Sequence, residues 1–333
     1  MKSDKTLAII LPAYNEALTI ENVLRSFHAV APHAGLFVVD NNSTDDTASV
    51  AEKTLAELKA QSAVLSERRQ GKGNAVRRAF MEVDADIYVM VDADDTYSAA
   101  SLRDIVQPIL DGRADMVNGD RRSNGDYDTE NKRLFHNFGN RLVQKLVHMV
   151  SGTTIVDIMS GYRAMNRHFV QCYPILVDGF QLETDMCLFA AQARLRVVEV
   201  DISYKDRPDG SFSKLNTISD GLKVLWSIFN VFRHCSPFLF FAIFSCFFFI
   251  LSISCGSIVV SEWLATGLIS HIPLTILSVA LGLFGVVLFS IGIFLDTINY
   301  QNRREIEFII KSRTIPKFVV KTGADSSVNA CAR

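Results

Sequence analysis

Short apolar runs alternate with amphipathic segments over the first hundred residues of the chain. Three runs are compact and apolar, and predict buried β-strands: residues 6–11, 35–39 and 87–91. Three further segments carry apolar side chains at helical spacing: residues 17–30, 47–60 and 73–83. Strands that alternate with helices are typical of a mostly parallel sheet with helices on both faces. The pattern therefore predicts a Rossmann-like α/β domain, which we place at residues 1–216.

Two long segments near the C-terminus, 237–260 and 272–295, contain no charged residue. Each would form a helix about 36 Å long, which exceeds the roughly 30 Å hydrocarbon core of a bilayer. Two buried helices of a large soluble core would also be apolar, but two uncharged runs of this length favour the membrane. We therefore predict two transmembrane helices within residues 237–300.

The segment 217–236, just before the first span, is amphipathic. Trp226 and Phe229 lie on its apolar face, and Lys223 lies opposite. A helix rich in Trp and Phe beside a span is typical of the membrane interface, although an ordinary core helix would show the same spacing. We predict an interfacial helix over 217–236 and a basic cytoplasmic tail over 301–333.

The charges of the chain balance overall but are unevenly placed. The formal net charge is −2, from 34 basic and 36 acidic residues, which argues against a dedicated nucleic-acid-binding protein. Arg233 precedes the first span and Arg303 and Arg304 follow the second, whereas the loop 261–271 has no Lys or Arg. Basic residues are retained on the cytoplasmic side of a membrane. We therefore expect a multi-pass protein of the cytoplasmic (inner) membrane, with the large domain and both termini in the cytoplasm.

Polar side chains follow the carboxyl ends of the three predicted strands. Asn15 and Glu16 follow the first strand, Asp40 the second, and Asp92 and Asp94 the third. In open α/β sheets, ligands bind in the crevice beyond these ends. Each cluster alone would suit a helix cap or a solvated turn, but three in succession favour one shared site.

Asp92 and Asp94 are the centre of this predicted site. Two carboxylates separated by one residue at a strand exit can share Mg²⁺, which prefers oxygen ligands and commonly binds substrate phosphates as well. The phosphate-binding pattern GxxxxGK[ST] is absent. The turn Gly71-Lys72-Gly73 opens a helix and would bring Lys72 near an anionic phosphate. These features predict a diphosphate site that uses a divalent metal.

Four motifs lie in the first hundred residues: Pro12-Ala-Tyr-Asn-Glu16, Val39-Asp40-Asn-Asn-Ser-Thr-Asp-Asp46, Gln70-Gly-Lys-Gly-Asn-Ala75 and Val91-Asp-Ala-Asp-Asp95. Together they resemble glycosyltransferase family 2. Three later motifs are Ser160-Gly-Tyr-Arg163, Gly179-Phe-Gln-Leu-Glu-Thr-Asp185, and Tyr204-x-x-Arg207 followed by Ser213-Lys214. They are similar to motifs of the polyprenyl-phosphate glycosyltransferases, which include dolichol-phosphate mannose synthase and the bactoprenol glucosyltransferases. The resemblance covers roughly residues 6–300, including the paired C-terminal spans of the bacterial members.

The resemblance implies a GT-A fold, a nucleotide-diphosphate sugar as donor, and bound Mg²⁺ or Mn²⁺. Asp92 and Asp94 would bind the metal, and Asp40 would hold the base or ribose of the nucleotide. Pro12, Tyr14 and Glu16 would shape that pocket. Some relatives have a Gln as third metal ligand where this chain has Thr96, so the third ligand stays open. The remaining implied substrate contacts, mostly positive charge for the acceptor phosphate and the leaving diphosphate, are Lys72, Arg121, Arg133, Arg163, Arg207, Ser213 and Lys214.

Glu183 and Asp185 lie where other inverting members of the family place a general base. A lipid phosphate is already ionised at pH 7 and needs no strong base, unlike a sugar hydroxyl. In that case the two carboxylates would position the sugar or Arg207. An acidic first turn favoured by the helix macrodipole explains them equally well. What the site must supply is charge, from the metal and from arginines that suit bidentate phosphate contacts.

These features predict a membrane-anchored inverting glycosyltransferase that moves one sugar to polyprenyl (undecaprenyl) phosphate. UDP-glucose is the first expectation for the donor, with GDP-mannose and UDP-N-acetylhexosamine as alternatives. An enzyme with a hydroxyl acceptor would need Asp185 or Glu183 as base. A processive polysaccharide synthase would carry Gln-x-x-Arg-Trp, but neither Trp226 nor Trp263 follows an Arg. A catalytically inactive membrane assembly partner is the alternative from another class, and the resemblance leaves a homo-oligomer open.

Overall fold

The computed structural model describes residues 5–121, 155–175, 177–179, 182–205, 229, 232–233 and 236–313. The first half alternates strands and helices, as predicted. Its elements are β1 (Leu7–Ala13), α1 (Ile20–Val30), β2 (Gly35–Asp40), α2 (Thr47–Leu58), β3 (Ser62–Ser66), α3 (Lys72–Glu82), β4 (Ile87–Met90), α4 (Leu102–Leu110) and β5 (Met116–Asp120). The later elements are β6 (Arg163–Asn166), α5 (Arg167–Cys172), α6 (Leu182–Gln192), β7 (Val197–Asp201), α7 (Pro237–Thr266) and α8 (Ile272–Arg313).

The strands of the described residues form one sheet in the order β3-β2-β1-β4-β6-β5-β7. β1 pairs in parallel with β2 and with β4, β2 with β3, and β5 with β7. Only β6 runs antiparallel, between β4 and β5. The predicted mostly parallel sheet is therefore confirmed. The carboxyl ends of β1, β2 and β4 meet at one edge, because these strands are parallel neighbours.

Helices cover both faces of the sheet and bury two separate apolar clusters. On one face, α1 contributes Ile20, Val23, Leu24 and Phe27, which recur at helical spacing and are all buried. On the other face, α3, α5 and α6 pack against β1 and β4, with Phe169 and Phe189 in edge-to-face contact at 5.8 Å. Both clusters pack against the strands of the sheet, so they stabilise the positions from which the loops at the carboxyl ends begin.

The two C-terminal helices are long and apolar enough to cross a membrane. α7 has 30 residues and α8 has 42, and each contains a stretch with mean hydropathy 2.5. They pack against each other through small polar side chains: Ser245 Oγ donates to Gly285 O at 2.8 Å, and Ser252 and Ser278 exchange hydrogen bonds at 2.7 and 3.0 Å. Such close contacts are typical of helix pairs in lipid.

α8 differs from the prediction because it does not end near residue 295 but continues as one helix to Arg313. In this extension Ile306 packs against the apolar cluster that contains Phe169 and Phe189, and α8 contacts α5. The predicted interfacial helix over 217–236 lies largely outside the described residues. The rings of Phe229 and Phe232 are described, and both contact Phe240 at the start of α7.

Candidate active site

Each loop that leaves β1, β2 or β4 at the carboxyl edge contains one residue with positive φ. These are Asn15 at 54°, Asn42 at 60° and Asp95 at 59°. Asn and Asp enter the left-handed region more readily than other residues with a side chain. Part of each predicted motif therefore serves the turn itself, and the turns direct the remaining polar side chains into the crevice.

The loops after β1 and β2 are joined by side-chain hydrogen bonds. Asn15 Oδ1 accepts from Thr44 N at 2.7 Å, and Asn15 N donates to Ser43 Oγ at 3.0 Å. Glu16 N donates to Thr47 Oγ1 at 2.8 Å. The hydroxyls of Ser43 and Thr47 thus bind the backbone of the first motif, and the two loops form one rim.

The residues predicted to bind the nucleotide lie together on this rim. The register of β1 and β2 pairs Pro12 with Val39 and Ala13 with Asp40. The side chains predicted for this pocket are all partly exposed: Pro12, Tyr14, Glu16 and Asp40. Asp40 Oδ1 accepts from Ser43 N at 3.2 Å, which orients the carboxylate at the end of β2.

Asn41 extends the rim to the loop after β3, and sequence reasoning missed this role. Its Oδ1 accepts from Gly71 N at 2.7 Å, and its Nδ2 donates to Arg69 O at 2.7 Å. In the same loop Arg69 makes two side-chain hydrogen bonds to Glu67, which lower the pKa of that carboxyl to about 2. The only sequence signal for Asn41 is its place beside Asp40 in the second motif.

Lys72 lies at the centre of the site, between two carboxylates. Its Nζ is 2.5 Å from Asp92 Oδ1 and 2.6 Å from Glu183 Oε1. Burial alone would lower the pKa of Lys72, but the charges of Asp92 and Glu183 outweigh burial and raise it. The ammonium therefore stays charged and joins the loop after β4 to the first turn of α6.

The glycines beside Lys72 allow this approach. Gly73 N donates to Asp178 O at 3.0 Å, and a Cβ on Gly73 would lie 2.9 Å from Val177 C. Gly71 has φ 129°, a region that side chains rarely enter. The turn therefore packs backbone to backbone against the segment before α6, which brings Lys72 to Glu183.

Asp92 is held from behind by Gly161 of the fifth motif. A Cβ at position 161 would lie 2.8 Å from Asp92 Cγ, so only glycine leaves the carboxylate its place. Asp94 is almost fully buried, and its Oδ1 accepts from Thr96 Oγ1 at 2.6 Å and Thr96 N at 3.2 Å. Thr96 thus orients Asp94 in this structure. Gly161 and Thr96 are further site residues that the sequence did not single out for these contacts.

Asp95, the third acid of the motif Val91-Asp-Ala-Asp-Asp95, stabilises the loop after β4. Asp95 Oδ2 accepts from Asn22 Nδ2 at 2.7 Å and from Lys205 Nζ at 2.9 Å. It thereby ties the loop after β4 to α1 and to the segment after β7. Asp92 and Asp94 remain the two carboxylates suited to a metal.

The donor set of Asp92 and Asp94 fits Mg²⁺ or Mn²⁺. Both offer carboxylate oxygens, the ligands that hard divalent cations prefer. Within the described ranges no three His, Cys, Asp or Glu side chains group around a common point. Two protein carboxylates with the remaining ligands from a diphosphate is the usual arrangement for such a cation.

The surroundings of Arg163 contradict the prediction that this residue contacts the acceptor phosphate or the leaving diphosphate. Its side chain is fully buried, with Nε donating to Ser160 O at 2.9 Å and Nη2 to Ile158 O at 2.5 Å. A guanidinium enclosed in this way does not reach an acceptor phosphate. It holds the chain reversal before β6 and so supports Gly161.

Arg121 is also buried, and it is paired. It forms a bidentate ion pair with Asp157, with Nε–Oδ2 at 2.7 Å and Nη2–Oδ1 at 2.9 Å. Its guanidinium lies 5.4 Å from the centre of the Tyr204 ring. Asp157 thus neutralises the positive charge of Arg121, which the sequence suggested for binding phosphate.

Glu183 and Asp185 share the first turn of α6 but have different surroundings. Glu183 is buried against Lys72, whereas Asp185 Oδ2 accepts from Tyr173 OH at 2.7 Å. Burial raises the pKa of Asp185, and the hydrogen bond from Tyr173 only partly offsets it. Of the other predicted contacts, four lie outside the described residues: Arg133, Arg207, Ser213 and Lys214.

Comparison with known proteins identifies the family of the chain. The family model Glycosyl transferase family 2 matches residues 8–173. Glycosyltransferase AglJ of Haloferax volcanii is 30% identical over 310 residues, covering 93% of this chain and 99% of the relative. A Dolichyl-phosphate hexose transferase of the same organism is 28% identical and covers 68% of this chain and 93% of its own length.

Solved structures show the same fold. Glucosyl-3-phosphoglycerate synthase of Mycobacterium tuberculosis superposes with TM-score 0.54 at 22% identity, over 69% of this chain and 81% of that one. A complex of that protein with Mn²⁺, UDP-glucose and phosphoglyceric acid gives TM-score 0.52 at 23% identity, over 69% of this chain and 80% of that one. The predicted GT-A fold and glycosyltransferase activity are confirmed, and the chain belongs to glycosyltransferase family 2.

Proposed function

We propose that this glycosyltransferase is anchored in the cytoplasmic membrane and transfers one sugar from a nucleotide-diphosphate donor to a polyprenyl phosphate, with inversion. The observation that carries the proposal is the order of the catalytic domain and the two apolar helices along one chain. A GT-A domain with an Asp92/Asp94 site is followed by two helices that are long and apolar enough to cross a bilayer. A site held beside a membrane is suited to an acceptor whose phosphate lies at headgroup depth.

The relatives support a lipid acceptor. Glycosyltransferase AglJ is similar over nearly its whole length, including the part that corresponds to α7 and α8, and another relative is named as acting on dolichyl phosphate. Arg233 precedes α7, and Arg303 and Arg304 lie in α8 beyond its uncharged stretch, which favours a cytoplasmic catalytic domain.

The donor diphosphate would lie beside Asp92 and Lys72. Asp92 and Asp94 would hold Mg²⁺ or Mn²⁺, which when bound neutralises the charge that develops on the leaving diphosphate. Lys72 adds a buried, charged ammonium next to the same carboxylate. Asp40, on the rim with Tyr14, would bind the nucleotide, and the loops tied by Asn41 would keep this pocket rigid.

A phosphate acceptor requires less of Glu183 and Asp185 than a hydroxyl does. A hydroxyl acceptor requires one of them to take its proton. One oxygen of Glu183 is engaged by the Lys72 ammonium, and one oxygen of Asp185 by the Tyr173 hydroxyl. A lipid phosphate needs no such base, so the site has only to orient it for in-line attack at the anomeric carbon.

A donor and acceptor screen tests the proposal. The purified full chain is incubated with Mn²⁺ or Mg²⁺, undecaprenyl phosphate, and UDP-glucose, GDP-mannose or UDP-N-acetylglucosamine. We expect one donor to give a lipid-linked sugar with inverted anomeric configuration, detected by mass spectrometry and NMR. UDP-glucose is our first choice of donor.

Two controls define the acceptor and the metal. Undecaprenol, which lacks the phosphate, should give no product, and Asp94→Asn should abolish transfer without changing the melting temperature. Transfer to undecaprenol, or to a sugar hydroxyl in preference to undecaprenyl phosphate, would overturn the proposed acceptor. Absence of both donor binding and transfer with every nucleotide sugar would favour an inactive assembly partner.

A further inference from the structure

The hydroxyl of Tyr97 joins Gly161, which lies against Asp92, to Arg121 at the end of β5. It accepts a hydrogen bond from Gly161 N at 2.9 Å and another from Arg121 Nη1 at 3.4 Å. The side chain is 4% exposed, and its ring packs edge-on against Tyr162 at 5.5 Å and Tyr204 at 5.4 Å. The packing of the ring therefore fixes the position of the Tyr97 hydroxyl, which accepts both hydrogen bonds.

The partners of this hydroxyl are themselves fixed. Arg121 is locked by the bidentate pair with Asp157, and Arg121 N donates to the same carboxylate at 3.2 Å. The backbone before Gly161 is held by Arg163, which binds the carbonyls of Ser160 and Ile158. The bond from Gly161 N to Tyr97 connects this buried framework to the loop that carries the acidic motif.

Gly161 transmits the constraint to Asp92. The carboxylate of Asp92 lies so close to the Cα of Gly161 that a Cβ there would come 2.8 Å from Asp92 Cγ. A small shift of Gly161 therefore changes the space that the Asp92 carboxylate occupies. Burial raises the pKa of Tyr97, and the charge of Arg121 only partly offsets this effect, so the hydroxyl keeps its proton.

We propose that Tyr97 is a positioning residue for the metal–diphosphate site, because its hydroxyl holds Gly161 against Asp92 and so sets where that carboxylate meets the ligand. The inference rests on the proposed role of Asp92 as a metal ligand. Residues that orient a metal ligand from behind typically affect metal affinity by about 10- to 100-fold when they are changed.

Two matched substitutions separate positioning from packing. Tyr97→Phe removes only the hydroxyl and keeps the ring between Tyr162 and Tyr204. Tyr162→Phe makes the same change on the neighbouring ring, whose buried hydroxyl has no hydrogen-bond partner among the described residues. Loss of an unpartnered buried hydroxyl should be neutral or slightly stabilising.

The experiment uses the full chain in detergent and measures four quantities: the Mn²⁺ dissociation constant by electron paramagnetic resonance, the melting temperature, and the KM and kcat for the active donor. We expect Tyr97→Phe to raise the Mn²⁺ dissociation constant and the donor KM by about tenfold, with a smaller change in kcat. Its melting temperature should fall modestly, because Gly161 N loses its acceptor. Tyr162→Phe should match the wild type in all four.

Two results would overturn the inference while leaving the proposed function intact. One is a Tyr97→Phe protein whose Mn²⁺ and donor constants equal those of Tyr162→Phe. The other is a Tyr97→Phe protein that melts earlier or fails to fold, with no specific loss of Mn²⁺ affinity in what folds, since that describes a packing role alone. Absence of Mn²⁺ binding by the wild type would instead overturn the metal assignment itself, and the inference with it.

Discussion

The ammonium of Lys72 lies 2.5 Å from a carboxylate oxygen of Asp92, so a proposed metal ligand is already paired with a cation of the protein. The same ammonium is 2.6 Å from Glu183. Lys72 comes from the first turn of α3, Asp92 from the loop after β4, and Glu183 from the first turn of α6. A divalent cation that binds Asp92 therefore competes with Lys72 for this carboxylate, and an incoming diphosphate offers Lys72 a new partner.

Replacing Lys72 should separate metal binding from transfer. In Lys72→Met the competing charge is gone, and because two unit charges 4 Å apart interact by about 4 kcal/mol at an effective dielectric constant of 20, we expect Mn²⁺ without nucleotide to bind at least about tenfold more tightly. Transfer should fall about 100-fold, because a positive charge beside the leaving diphosphate is lost. Electron paramagnetic resonance and a transfer assay measure the two effects.

A matched control for this prediction is Lys205→Met. Lys205 binds Asp95, the neighbouring acid that we assign to loop structure, and its side chain is half exposed. This variant should leave Mn²⁺ affinity close to that of the wild type. Equal Mn²⁺ affinities in Lys72→Met and the wild type would show that Lys72 does not compete with the metal for Asp92.

Gly161→Ala should damage the metal site with little effect on the fold. The new Cβ would displace the partly exposed Asp92 carboxylate, which has room to move toward the crevice. We expect Mn²⁺ affinity and transfer to fall about 10- to 100-fold, measured by resonance and by product formation. Gly35→Ala introduces a comparable clash with Phe37 at the start of β2, the end of the strand away from Asp92, and should lower the melting temperature instead. Normal Mn²⁺ binding by Gly161→Ala would refute the contact we assign to Gly161.

The sequence predicted the first strands and helices well because their apolar residues follow simple periods. The strands β5 and β6 escaped prediction because they bury polar residues, such as Asn118 and Arg163, within short segments. Asn118 Nδ2 is satisfied by Asp157 O at 2.7 Å, a partner that lies 39 residues away. A local pattern contains no information about such a partner, so a buried strand of this kind reads as a polar loop.

The site likewise contains residues that the sequence identifies and contacts that only the folded structure shows. Asp92, Asp94 and Lys72 were identifiable from motifs. A site for a metal-bound diphosphate requires carboxylates that bind the metal and a positive charge beside the phosphates, in loops that follow strands. The pairing of Lys72 with Glu183 joins residues 111 positions apart and depends on how α3 and α6 pack. Arg163 was assigned to the acceptor because an arginine in a motif suggests an anionic ligand, whereas here backbone carbonyls satisfy it.

Arg163→Met should lower stability more than it alters chemistry. The substitution leaves the carbonyls of Ser160 and Ile158 buried without their donors, at a cost of about 1–3 kcal/mol each. We therefore expect a free energy of unfolding lower by about 2–6 kcal/mol, measured by denaturation of the full chain in detergent. Arg113→Met is the control, because Arg113 is exposed and its ion pair with Asp111 contributes little. Unchanged stability with loss of transfer would restore a substrate role for Arg163.

The extension of α8 should set the position of the catalytic domain relative to the apolar parts of α7 and α8. Ile306 packs against the apolar cluster that contains Phe169 and Tyr173, and Tyr173 in turn binds Asp185. In Ile306→Glu a charge replaces this contact, which costs about 1.5–3 kcal/mol of burial and undocks the helix end. Because misplacement by about 1 Å can slow a reaction 100-fold, we expect transfer to undecaprenyl phosphate to fall at least about tenfold. Binding of the donor, whose predicted contacts do not belong to this cluster, should not change.

Phe308→Glu provides the comparison for Ile306→Glu, because Phe308 lies on the same helix and is 74% exposed. The two variants introduce the same charge two residues apart, so a general effect of charge on membrane insertion would appear in both. Only Ile306→Glu should raise the KM for undecaprenyl phosphate, measured with the donor at saturation. If the two variants lower transfer equally, the contact of Ile306 with the catalytic domain has no part in presenting the lipid to the site.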